Sequence, residues 1–182
     1  MYSFQYWLYG VFRAAKWAIP FMTSKWGWPF CETVHFLGLS LLIGTIGMFD
    51  LRLLGMGRRV PLRALHKLIP WGVAGYSATV ITGILFLATE PDQYLFNSAF
   101  HLKMLFMALA GVNMATFYFV FFRRAKLLRG GEDAELSAKA IAAFSLFLWI
   151  GVIVFGRMLT FYRPAPCDSE ALTFVLTCIP AR

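Results

Sequence analysis

Four apolar stretches, separated by charged segments, dominate the pattern of hydrophobic and polar positions along the chain. They cover residues 28–49, 68–88, 101–122 and 141–162. Each is close to the roughly 20 residues with which a helix crosses about 30 Å of hydrocarbon. Because backbone groups in lipid must form their hydrogen bonds within the segment, helices are the expected conformation. The pattern therefore predicts an all-α integral membrane protein, built as an antiparallel bundle of four transmembrane helices.

Residues 1–27 show a single helical stripe rather than a further uninterrupted span. Arg13 interrupts the apolar run, which argues against a cleavable signal peptide. The stripe has spacings of three and four residues and consists of Phe4, Trp7, Leu8, Val11, Phe12 and Ala15. We expect an amphipathic helix that lies in the membrane interface, followed by a linker. A fifth, partial span is the alternative.

The predicted transmembrane domain covers residues 28–163, and a short polar tail follows at 164–182. In this tail, Asp168 or Ser169 can cap a short helix. If the tail lies in an oxidising compartment, Cys167 and Cys178 can form a disulfide.

Composition supports a lipid environment. Hydrophobic residues make up 59% of the 182 residues and charged residues 14%, against about 45–50% and about 25% in soluble domains. This composition argues against a soluble enzyme, a disordered chain and a free nucleic-acid binder. The net charge of +8 follows from topology, since ten bases occupy two connections: Arg52, Arg58, Arg59, Arg63, Lys67, Arg123, Arg124, Lys126, Arg129 and Lys139. These connections are expected to face the cytoplasm, which places both termini in the periplasm.

A set of polar, proline and glycine residues in a defined order carries a family resemblance. It comprises Trp28-Pro29, Glu32-x-x-His35-x-x-Gly38, Asp50-Leu-Arg-Leu-Leu-Gly55, Pro70-Trp71, Gly75, Thr82-Gly83, Pro91-x-x-Tyr94-x-x-Asn97, Lys103, Asn113, Trp149 and Gly156-Arg157. Over roughly residues 28–162 the chain resembles an uncharacterised family of bacterial four-span inner-membrane proteins. More distantly it is similar to the membrane domain of copper-resistance D-type proteins. The resemblance implies fold and location and supplies no activity, and His66 and His101 are outside its pattern.

His35 is the first candidate for chemistry, because ionisable residues inside a membrane are costly. It lies seven residues into the first stretch, about 10 Å along a helix. Glu32 lies one turn above it on the same face. A carboxylate there can hold one imidazole nitrogen and leave the other for a metal. The structural alternative is a histidine that is hydrogen-bonded to a neighbouring helix.

Two histidines on different helices would place a haem b between them, and His35 and His101 form the candidate pair. With Asn97 or Ser98 as cap, His101 falls in the first turn of its helix, several ångströms above His35. Basic residues near this end can face the haem propionates: Lys103, Arg157 and Arg163. The alternative is that Arg157 pairs with Glu32 and that Lys103 extends to water. The expected function is membrane electron transfer between quinol and a periplasmic or complex partner.

Two other functions stay open. Copper handling would use His101 and Met104, one turn apart, with Cys31, His35 and Met22 nearby, because sulfur and imidazole suit Cu(I). The other is a non-catalytic subunit that scaffolds or anchors a complex. In either case quinone or lipid can fill a pocket without any metal. Hydrolytic, phosphate-binding and zinc-binding patterns are missing from the sequence, and a di-iron site lacks its second Glu-x-x-His motif.

The remaining polar residues of the spans are expected to be structural. Asp50 is expected to pair with Arg52 or a loop base where the first helix leaves the lipid. Asn113 is expected to join helices through Thr79 or Thr82. Several glycines permit close helix approach: Gly38, Gly44, Gly47, Gly72, Gly75 and Gly83.

Overall fold

The computed structural model describes residues 2–14, 17–122, 128 and 131–164, and this part of the chain is helical with no strands. Its α-helices, in chain order, are α1 (Tyr2–Ala14), α2 (Ile19–Met22), α3 (Gly27–Leu53), α4 (Leu62–His66), α5 (Ile69–Thr89), α6 (Pro91–Leu95), α7 (Ser98–Thr116) and α8 (Leu136–Met158). A π-helical turn, Phe117–Phe121, continues α7. The predicted all-α fold class is confirmed.

Four segments are long and apolar enough to cross a membrane. They are Gly27–Leu53, Leu62–Thr89, Ser98–Phe121 and Leu136–Met158, and each overlaps one predicted stretch. The protein therefore has the architecture of a multi-pass membrane protein, and the predicted four-helix bundle is confirmed.

Local sequence signals account for the helix ends. The Oδ1 of Asn97 accepts from the backbone N–H of Ala99 at 2.9 Å, so Asn97 is the predicted N-cap of α7. At the end of α3, Gly55 has φ of 101°, a left-handed conformation that favours glycine. The N–H groups of Gly55 and Met56 bond back to the carbonyls of Arg52 and Leu51. This pair of backbone hydrogen bonds, formed around a left-handed glycine, ends the helix.

The bundle consists of two helix pairs. α5 packs on α3, α7 packs on α8, and the pairs meet mainly through α3 against α8. The backbones of α3 and α5 approach closely at two glycines, because a Cβ on Gly75 would stand 2.6 Å from the carbonyl oxygen of Gly38. The prediction of close approach is thus correct for this pair. It is wrong for Gly44 and Gly47, where an added Cβ meets nothing within 4 Å, since that face of α3 points away from the other helices.

Opposite the N-terminus of α3, the connections after α3 and before α8 are joined. Arg52 is 2% exposed, and its guanidinium donates to the carbonyl oxygens of Val60 at 2.6 Å and Glu132 at 3.2 Å. The carboxylate of Asp133 pairs with Arg58 at 3.2 Å and Lys139 at 2.6 Å. These contacts close one end of the bundle with a polar layer.

Helix α1 packs against α5 and α6, and the ring of Tyr9 meets Phe96 edge-on. Part of its predicted stripe stays uncovered, with Phe4 and Trp7 66% and 62% exposed. The helix is therefore confirmed, while its place in the interface stays a prediction. Residues 165–182, with the Cys167–Cys178 pair, lie outside the described residues.

Candidate functional site

His35 lies in the first part of α3 and is hydrogen-bonded to α5. Its Nδ1 is 2.8 Å from the hydroxyl of Thr82, and that hydroxyl is 2.7 Å from the carbonyl oxygen of Ala78. The hydroxyl is also 3.2 Å from the carbonyl oxygen of Thr79, and because a carbonyl only accepts, the single hydroxyl hydrogen of Thr82 serves one of these two carbonyls. The hydroxyl can then only accept from the imidazole. We therefore assign the proton of neutral His35 to Nδ1, which leaves the lone pair on Nε2.

The surroundings of His35 differ from those expected in one respect. The ring contacts Phe86 edge-on at 5.6 Å between centroids, and the hydrogen bond to Thr82 engages Nδ1 rather than Nε2. The expected support from Glu32 is not formed, because Glu32 is exposed at the start of α3, and Thr82 occupies Nδ1 instead. The structural alternative, a hydrogen bond to a neighbouring helix, is confirmed for Nδ1 only.

His101 is not brought to His35. It lies in the first turn of α7, as predicted, and its Nε2 donates to the carbonyl oxygen of Leu95 at 2.9 Å. Its side chain is exposed, and α7 packs on α8 rather than on α3. Thus the described residues contain no paired imidazoles for a bis-histidine haem. They also contain no group of three or more His, Cys, Asp or Glu side chains able to hold a metal ion.

The sulfur ligands of the copper hypothesis are separated. Cys31 and Met22 are buried together against Phe86, on the α3–α5 side where His35 also contacts Phe86. Met104 is 43% exposed on α7 and is not part of this cluster. The geometry therefore supports no copper centre that joins His101 and Met104 to Cys31.

Of the two basic candidates within the described helices, only Lys103 faces inward. Its Nζ stands 3.7 Å from the Cβ position of Gly156 on α8, and its charge acts on His35. Arg157 is exposed, and its guanidinium lies over the ring of Phe161 at 5.4 Å. The alternative pairing of Arg157 with Glu32 is not formed. Arg163 is exposed next to the last described residue. Lys103 is therefore the basic candidate that lies inside the bundle, against α8.

A cavity of about 280 Å³ lies between the spans toward the other end of the bundle. Asp50, on its wall, follows His35 by fifteen residues, which is about 22 Å along α3. All four spans line the cavity: Leu42, Thr45, Ile46, Phe49, Asp50, Ile69, Gly72, Val73, Tyr76, Met107, Ala110, Gly111, Asn113, Met114, Phe117, Tyr118, Ile141, Ser145 and Trp149. We call it the Asp50 cavity.

Asp50 differs from its expected role. It is 6% exposed and contacts the hydroxyl of Ser145 on α8, and its Oδ2 has no hydrogen-bond partner among the described residues. The expected pair with Arg52 is wrong because residues two positions apart do not share a helix face. Arg52 points to the loop carbonyls, whereas Asp50 points into the bundle.

Asn113 joins helices, as predicted, but through a different partner. Its Nδ2 donates to the carbonyl oxygen of Ile141 at 3.2 Å, whereas Thr79 bonds within α5 and Thr82 is occupied by His35. The partner is on α8 because α7 packs there and not on α5.

Sequence analysis missed the Asp50 cavity, although a signal was present. Polar residues lie at the end of the first stretch, just past the middle of the third and near the start of the fourth. In an antiparallel bundle these positions reach the same depth, so their clustering is predictable once topology is used: Thr45, Asp50, Asn113 and Ser145. The π-helical turn could not be foreseen. It places Phe117 and Tyr118 in the cavity wall, and such turns are frequent at functional sites.

Comparison with known proteins identifies a family but no activity. A family model described as a family of unknown function (DUF6644) matches residues 24–162, in agreement with the predicted resemblance to an uncharacterised family. No curated protein and no solved structure matches this chain significantly. The more distant likeness to copper-resistance D-type proteins stays a prediction.

Proposed function

Because this chain belongs to a family of unknown function, its activity must be inferred from its own residues, and we propose that it is a membrane electron-transfer subunit that binds haem b through His35. Nε2 of His35 is the observation that carries the proposal. Thr82 holds the imidazole by Nδ1–H, and metal-ligating histidines commonly donate their second ring nitrogen in this way. Nε2 keeps the lone pair that iron requires.

The neighbouring residues support this site. Lys103 offers a cation for a haem propionate from the α7–α8 side, and Phe86 and Phe36 give the imidazole an apolar wall. Haem iron would supply one-electron transfer. Arg52, Arg58 and Lys139 lie together at the opposite end, so the positive-inside rule favours a periplasmic position for His35 in a bacterial inner membrane. Electrons would pass between quinol and a periplasmic redox protein or a larger complex.

The test is the visible spectrum of protein purified from cells supplied with haem. We expect a Soret band that is lost in His35→Ala and kept in the matched variant His101→Ala. His101 is the matched control because its Nε2 already bonds to a backbone carbonyl in the wild type. Thr82→Val keeps the side-chain volume but removes the acceptor for Nδ1–H, and it should weaken haem retention by about 10- to 100-fold. A wild-type protein without a Soret band, or a band indifferent to His35, contradicts the proposal.

The second candidate function is a non-catalytic subunit that anchors a larger complex. The observation in its favour is that the His35–Thr82 bond also links α3 to α5, next to the Gly38–Gly75 contact. In that case His35→Ala would lower only the stability of the bundle. The protein would also co-purify with a partner from native membranes without a chromophore, which separates the two candidates.

A further inference from the structure

We propose that the Asp50 cavity binds the ring of a membrane quinol or quinone, whose apolar tail leaves between α5 and α7. The binding site is distinct from the His35 site, and only the use of the bound ligand as an electron donor or acceptor rests on the proposed function. Mouth, volume and polar groups of the cavity each support this ligand class.

The mouth of the cavity lies on the α5 and α7 sides. Val73 and Tyr76 on α5 and Met114 on α7 line the cavity and are 58%, 41% and 58% exposed. The opposite wall, on α3 and α8, has no exposed lining residue and includes the buried Leu42 and Ser145. Since α5 packs on α3 and α7 packs on α8, the α5 and α7 sides provide an entry from the lipid.

The volume suits a ring and not a whole amphiphile. An apolar cavity of about 150 Å³ accommodates benzene, and complete drug-sized ligands occupy about 300–1,000 Å³. At about 280 Å³, the Asp50 cavity has room for a substituted six-membered ring and the first part of a tail. The rings of Phe49, Phe117 and Tyr118 line one end of it and provide aromatic surface for such a ring.

The polar groups match hydroxyl and carbonyl oxygens. Oδ2 of Asp50 is buried and has no partner among the described residues, and such an atom normally has one in a native structure. A quinol hydroxyl can donate to it. Trp149 and Tyr76 also line the cavity and carry N–H and O–H donors, which suit the second ring oxygen in either redox state.

The charge of the lining disfavours anionic lipids. The lining residues include no Lys, Arg or His. A fatty-acid carboxylate or a phosphate group would therefore meet Asp50 without a compensating cation, and buried like charges repel. A cationic amphiphile is the competing ligand, because its charge would pair with Asp50.

Two glycines provide a matched pair of variants. An added Cβ meets nothing within 4 Å at Gly111, which lines the cavity, or at Gly44, which does not. Gly111→Leu should therefore fill the mouth without disturbing the packing of the helices. Gly44→Leu adds the same side chain on a face away from the cavity.

The experiment measures the binding of a decyl-tailed benzoquinone and its quinol to the full chain in lipid nanodiscs. We expect saturable binding, at least a tenfold rise in Kd in Gly111→Leu, and no change in Gly44→Leu. Asp50→Asn should weaken the binding of the quinol more than that of the quinone, since the quinol hydroxyl loses its carboxylate acceptor. Each variant is checked for a wild-type unfolding transition.

Three outcomes would overturn the proposal. They are absence of saturable binding, equal Kd values in the two leucine variants, and displacement of the quinone by decylamine at lower concentration than by the quinol itself. Repeating the measurement with His35→Ala separates the two proposals, because quinone binding should persist in this variant even where a haem signal is lost. A protein that binds quinone but never shows a Soret band would contradict the haem proposal alone.

Discussion

Replacing Gly75 by alanine is expected to separate α3 from α5. The added Cβ would stand 2.6 Å from the carbonyl oxygen of Gly38 and 3.0 Å from the backbone nitrogen of Leu42. A carbon normally approaches a carbonyl oxygen to about 3.3 Å, so the helices must part by about 0.7 Å. Both nearby atoms belong to the backbone, and no side-chain rotation can relieve the contact.

Two opposing terms set the size of the effect. Overpacking a well-packed interior costs about 1–3 kcal/mol, while alanine in place of glycine gains up to about 1 kcal/mol of helix propensity. With overpacking near the middle of its range, Gly75→Ala should lower the free energy of unfolding by about 1 kcal/mol. Gly47→Ala is the control, because its Cβ meets nothing within 4 Å, and it should be neutral or slightly stabilising.

The assay is reversible unfolding of the purified protein in mixed micelles, followed by helical circular dichroism. Gly75→Ala is expected to unfold more easily than the wild type, and Gly47→Ala to unfold like the wild type or slightly less easily. If Gly75→Ala were as stable as the wild type while the helix content stayed unchanged, the close backbone contact would not exist and the packing of α3 on α5 would be wrong.

Three further predictions concern the polar ends of the bundle. Arg52→Met leaves two loop carbonyls without their donor, and we expect a loss of about 2–4 kcal/mol in the free energy of unfolding by the same assay. The hydrogen bond from Lys139, with the charges around it, lowers the pKa of Asp133. The ionised Asp133 carboxylate therefore stabilises the fold above the ordinary carboxyl pKa, and this stabilisation is lost as the pH falls through the lowered pKa. Asp133→Asn should melt at a lower temperature than the wild type at pH 7 and at the same temperature in strong acid. Burial, followed by the charges of nearby acids, raises the pKa of Tyr94 to about 12, and ultraviolet titration against Tyr94→Phe should show late ionisation that moves to lower pH in Glu32→Gln.

The spans were predictable because lipid imposes one strong constraint on length and hydropathy. Each predicted stretch overlaps its helix, and the cap at Asn97 follows from the chemistry of its side chain. Additional local structure was not predictable in the same way. The short helix α4 precedes α5 directly, and the π-helical turn after α7 depends on packing that no local pattern specifies.

The partners of individual side chains were harder to predict, because hydropathy alone does not determine which spans are neighbours. Asn113 bonds to α8 and His101 is remote from His35, since α7 packs on α8 and not on α3 or α5. Glu32 has the correct spacing to reach His35, yet a hydroxyl on another helix takes that position. Spacing along the sequence indicates which residues share one face of a helix, but it does not indicate which other helix packs against that face.

The unequal packing of the helices also explains why two different sites can exist in one small bundle. At the His35 end, Thr82 and the glycine contact hold α3 against α5, so the imidazole is immobilised with one nitrogen available. At the Asp50 end, α3 turns a carboxyl group toward α8, and the α5 and α7 sides carry exposed cavity residues. Gly75 lies between Val73 and Tyr76 of the cavity lining, and an added Cβ there would stand 3.0 Å from the backbone nitrogen of Leu42, which lines the cavity too. Gly38, its contact on α3, lies one turn from His35. Gly75→Ala should therefore weaken both any haem signal and quinone binding, and loss of only one of the two would indicate that the sites do not share the α3–α5 contact.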